Sequence, residues 1–154
     1  MRGLIPRALL AFCVASAAGC FLLNGQVAPP AAARSETHSY WQKVSEILAR
    51  KPAGADMKSL VKLVQEQTDA LKELPTEGVD ADLAAAVSDL IKCEEDVLWR
   101  ASQADSDPEI LKQSKPMAVA FADANRKAAE AKKKLKGMRS LMSDRHGGGF
   151  APMV

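Results

Sequence analysis

The chain has 154 residues, with 21 Lys and Arg against 19 Asp and Glu, a formal net charge of +2. A chain of this size builds one modest core and not two. Its near-neutral balance excludes a global pull toward nucleic acid or anionic lipid.

The N-terminus reads as an export signal. Arg2 and Arg7 supply a positive start, residues 8–18 are a short apolar run, and small residues precede Cys20. This layout is too short and wrongly flanked for an ordinary membrane span. The stretch Ala17-Ala18-Gly19-Cys20 resembles the lipobox of bacterial lipoproteins, with Ala17 where Leu is most usual. The resemblance implies a signal peptide over residues 1–19, an acylated Cys20 as mature N-terminus, and a membrane partner held through that lipid. Cys13 then leaves with the signal, and Cys93 remains as the one thiol in a domain held together by packing. Two other readings stay open. Cleavage after Ala15-Ser16-Ala17 leaves Cys20 and Cys93 free to pair. An uncleaved anchor over residues 8–23 falls short of the ~20 residues of a spanning helix.

Residues 24–33 carry no charge and two adjacent prolines, and residues 20–34 as a whole read as attachment point and tether. Helical spacing begins after them. Trp41, Val44, Ile47 and Leu48 mark a first helix, closed by Lys51-Pro52-Ala53-Gly54. Asp56 caps a second, with Leu60, Val61, Val64, Leu71 and Leu74 on one side, and Pro75 and Gly78 stop it. Asp80 caps a third that turns Leu83, Val87, Leu90, Ile91, Val97 and Leu98 inward. Asp105-Ser106-Asp107-Pro108-Glu109 is a stop and then a new start, and Pro116 should break or kink the helix at that point. Met117, Phe121, Ala124, Ala128, Ala131, Leu135, Met138 and Met142 then step by four and three, a coiled-coil-like seam. Gly147-Gly148-Gly149 opens an expected disordered tail, residues 146–154. These elements predict an all-α fold: an up-and-down antiparallel bundle of about four helices over residues 35–145.

Charge is segregated along the chain. Residues 111–145 hold ten bases and three acids, whereas residues 76–110 hold two bases and ten acids. The patch Arg126, Lys127, Lys132, Lys133, Lys134, Lys136 and Arg139 is a candidate interaction surface. Lys127 and Lys134 lie on one flank of the seam, with Lys132 and Arg139 on the other, where a neighbouring helix's charges meet them. The simplest expectation is that third-helix acids answer fourth-helix bases within one molecule. Nucleic acid is therefore not expected as a partner. Lys133 and Arg126 point outward and leave a weak hold on anionic lipid, wall polymer or an envelope protein open.

Chemistry-bearing residues are sparse. Cys93-Glu94-Glu95-Asp96 cannot converge on one ion, because consecutive helical residues point in different directions. Cys93 reads as a small hydrophobe, and Trp41, Tyr40 and Trp99 as core or rim anchors. No nucleophile stands beside a histidine and no glycine-rich loop comes after a strand, so no catalytic residues, metal ligands or cofactor are assigned. The expectation is a non-enzymatic protein with a binding or structural role, exported to a periplasm-facing membrane or the cell surface. Its oligomeric state is open. The alternative is a periplasmic bundle that binds haem or metal in its core, with Met117, Met138 or Met142 pairing with His38 as axial ligands.

Overall fold

A computed structural model of the protein describes residues 31–106 and 114–153. The signal segment, Cys20 and the new helix start expected at Asp107-Pro108-Glu109 lie outside them. The described residues form four long helices and one short one: α1 (Ala31–Leu48), α2 (Met57–Lys72), α3 (Ala81–Ser106), α4 (Lys115–Gly137) and α5 (Arg139–His146). They pack as an all-α helical bundle, with no strand among the described residues.

The starts of α2, α3 and α4 have local causes. Asp56 accepts hydrogen bonds from the Ser59 amide at 2.9 Å and the Ser59 hydroxyl at 2.6 Å. Asp80 Oδ1 accepts from the Asp82 and Leu83 amides at 3.0 and 3.3 Å. Caps of this kind contribute about 1 kcal/mol each. The Asp80 amide in turn donates to Thr37 Oγ1 at 3.0 Å, which pins the start of α3 to the fully buried Thr37 of α1. Pro116 stands in the first turn of α4. It opens that helix instead of kinking it, since an N–H there has no partner to lose.

α3 is the central helix, with α2 on one side and α4 on the other, and α1 lies along α2. Val44, Leu83, Leu90, Leu135 and Met142 are fully enclosed, in one cluster with Trp41 and Leu71. Burying a side chain of this size contributes about 1.5–3 kcal/mol. A smaller cluster joins Val97 of α3 to Ala124 and Ala128 of α4. α3 climbs from Leu90 to Val97 while α4 descends from Leu135 to Ala124, so the two run antiparallel. The seam from Met117 to Met142 continues across the break at Met138 into α5.

Three further expectations change. Residues 147–153 are not a disordered tail but a strap folded back along α1, with Phe150 and Met153 buried. Two apolar anchors and several hydrogen bonds offset the entropy of ordering a short segment. The packed unit therefore runs beyond residue 145, to Met153. Residues 31–34 belong to α1, not to a tether. The first half of α2 is less covered than its spacing suggested: Leu60 is 41 % exposed, because α1 ends at Leu48. No helix among the described residues is long and apolar enough to cross a membrane.

Candidate functional site

Three polar arrangements decorate the bundle. The first lies between α3 and α4. Glu94 is buried in the middle of α3, where Lys132 Nζ approaches Oε1 to 2.7 Å and the Thr68 hydroxyl donates to Oε2 at 3.0 Å. Lys134 pairs with Asp89 across the same interface at 3.6 Å, and Lys72 of α2 meets Glu95 at 2.7 Å.

The basic patch divides accordingly. Lys132 and Lys134 face α3 acids, whereas Lys127 and Arg126 pair within α4 with Asp123, and Arg126 also with Glu130. Those contacts, led by the Lys127 and Arg126 hydrogen bonds, hold the Asp123 carboxyl below its ordinary range. Arg139 Nε donates to the Phe150 carbonyl at 2.7 Å, fastening the strap. Lys133 and Lys136 are exposed, and no carboxylate among the described residues pairs with either. The patch is therefore largely used up inside the molecule.

The second arrangement sits at the end where α3 starts and α5 stops. Asp80 Oδ2 accepts from His146 Nε2 at 2.9 Å and from Arg145 at 3.3 Å, while Arg145 also reaches Asp82 at 2.6 Å. Burial opposes the charge on Asp80. Hydrogen bonds from His146, the Leu83 amide and Arg145 outweigh it, and the carboxyl is held below the ordinary carboxylate range. His146 is 6 % exposed, and its Nδ1 is enclosed without a partner.

The third arrangement is built by the strap. Gly147 and Gly149 turn the chain with φ of 83° and 115°, a region in which side-chain-bearing residues are strained. Phe150 then stacks on His38 at 4.0 Å and meets the Trp41 ring edge-on at 5.5 Å. Trp41 Nε1 donates to the Ala151 carbonyl at 2.9 Å, and His38 Nε2 lies 3.2 Å from the Gly148 carbonyl. His38 Nδ1 faces the Arg34 carbonyl at 2.8 Å. Beside the strap a half-open groove of about 410 Å³ runs along α1, walled by Gln42, Ser45, Glu46 and Ala49 and by Ala151 and Pro152 opposite. Gln42 donates to Glu46 at its rim, while the Ser45 hydroxyl oxygen is enclosed without a partner.

Both ring nitrogens of His38 face backbone carbonyls, and Met142 is enclosed in the apolar core. Cys93 is half-buried against the Val97 cluster. Trp99 is 56 % exposed with the Arg100 guanidinium 5.5 Å from its ring, a rim position and not a core one. Among the described residues no group of three or more His, Cys, Asp and Glu side chains could hold a metal ion.

No protein-family model matches this sequence, and neither a curated protein nor a solved structure matches it.

Proposed function

We propose that this protein is an exported, lipid-anchored helical bundle of a bacterial cell envelope with a non-catalytic binding role. The observation that carries the anchor is the sequence of the first twenty residues: a basic start, a short apolar run and Ala17-Ala18-Gly19-Cys20. A packed helical unit beginning at Ala31, about ten residues after Cys20, suits a domain held just off a membrane surface.

The binding role rests on how the polar groups are used. Glu94 and Asp89 of α3 answer Lys132 and Lys134 of α4, and Arg126 and Lys127 pair with acids of α4 itself, so most of the basic patch is neutralised within the molecule. A concave feature among the described residues is the groove beside the strap. Aromatic rings and backbone-directed hydrogen bonds dominate that face, a chemistry of recognition, not of bond cleavage.

Metabolic labelling with a fatty-acid probe tests the anchor. Wild type should carry the label and Cys20→Ser should lose it. One acyl chain holds a membrane weakly, whereas several anchor it firmly, so labelled protein should also sediment with membranes at high salt. Equal labelling of both chains, or of neither, contradicts the lipoprotein reading.

A further inference from the structure

The strap is held largely through its main chain. His38, Trp41 and Arg139 aim side-chain nitrogens at the carbonyl oxygens of Gly148, Ala151 and Phe150. Backbone carbonyls are common to every peptide, so these contacts ask for an extended chain and not for a particular sequence. Specificity comes from two buried anchors three residues apart, Phe150 between His38 and Trp41, and Met153. No residue from 147 to 153 carries a charge.

Two more features separate an occupied site from a fixed element. The strap joins α5 through Gly147-Gly148-Gly149, two of them at positive φ, where glycine keeps the backbone free of strain. It also leaves its seat partly unfilled. The groove between Ala151-Pro152 and α1 stays open, and at its wall the Ser45 hydroxyl is enclosed with no partner.

We infer that this face of α1 is a peptide-binding site filled in cis by the protein's own strap, residues 147–153. Its ligand in trans is an extended, uncharged segment of a partner protein, with an aromatic anchor and, three residues later, a methionine or aliphatic one. Intramolecular attachment gives the strap an effective concentration in the millimolar range, so the closed form excludes weak ligands and a partner must outcompete it. A side chain larger than Ala151 at the corresponding ligand position fills the open groove. The inference deepens the binding half of the proposed function and does not depend on the anchor, so a failed labelling experiment at Cys20 leaves it standing.

The test uses the full chain and a fluorescent octapeptide with the sequence of residues 147–154, with anisotropy as the readout. Phe150→Ala and Met153→Ala chains, whose own straps have lost an anchor, should bind the peptide at least tenfold more tightly than wild type. The octapeptide with Leu at the Ala151 position should bind more tightly still, and one with Ala at the Phe150 position should not bind. Absence of saturable binding up to about 1 mM in either variant, with helical circular dichroism intact, overturns the proposal. Exchange of straps between two copies, seen as a strap-dependent dimer, also overturns it in favour of self-association. Should both variants unfold, amide hydrogen exchange on wild type decides. Strap amides that exchange far faster than those of α3 support a site that opens, and strap amides that exchange only with global unfolding contradict it.

Discussion

Glu94 and Lys132 meet at 2.7 Å across the α3–α4 interface, with the carboxylate at 1 % exposure and the ammonium one-third exposed. The pair converts a charge asymmetry visible along the chain into a register between two helices. The third participant, Thr68, brings α2 to the same point.

Removing only the base should therefore cost far more than an exposed ion pair does. Lys132→Met strands a buried carboxylate, and urea denaturation should show a loss of about 3 kcal/mol, the low end for breaking a buried pair. Thr68→Val should cost about 1 kcal/mol. The double replacement Glu94→Leu with Lys132→Leu should recover most of the loss, because paired burial of charge is weakly stabilising on balance.

The exposed bases should behave differently. Lys127 is bonded to Asp123 within its own helix, so its reversal to Glu should cost no more than about 0.5 kcal/mol. Equal losses for Lys127→Glu and Lys132→Met would contradict this placement of the two side chains.

Much of the bundle was legible in the sequence. Asp56 and Asp80 stand one residue ahead of α2 and α3 and cap them as their side-chain chemistry requires, and the four-and-three steps from Met117 run through α4 into α5. Glu94 was harder to see. It occupies the helical phase of Leu83, Val87, Leu90 and Val97, four residues after Leu90, but a carboxylate at a core position signals burial only once its partners are known. Gln67 and Thr68 were hidden in the same way. Gln67 donates to the Ile47 carbonyl at 3.1 Å, satisfying the open end of α1. The strap failed to announce itself because three glycines outweigh one phenylalanine in any local reading. What orders it is non-local: rings on α1 more than a hundred residues earlier in the chain.

Acid should loosen the end of the bundle where α3 begins. Asp80 is held below the ordinary carboxylate range despite its burial. A carboxyl depressed in the folded state contributes stability that is present above its unfolded value, about 3.9, and is lost as pH falls through the folded value. Urea midpoints should therefore fall below about pH 4, and Asp80→Asn should flatten that acid limb. Asp80→Ala should additionally cost about 1–2 kcal/mol at neutral pH through the lost cap. A pH profile unchanged in Asp80→Asn would contradict the assignment.

The two tryptophans should separate by solvent contact. Trp41 is 1 % exposed beneath the strap and Trp99 is 56 % exposed. In a Trp99→Phe background, emission should be blue-shifted and resistant to acrylamide. Adding Phe150→Ala should shift it red and cost about 3 kcal/mol, in the range for truncating a buried phenylalanine. Emission that stays blue and protected would mean that something other than the strap covers Trp41.

The anchor is the claim on which the proposed role stands, and the intact mass of the protein purified from native membranes tests it most directly. The mature chain should begin at Cys20 and be heavier than its amino-acid sequence by a lipid group on that residue. A chain beginning at Ala18 without added mass, or one retaining Met1, would contradict it.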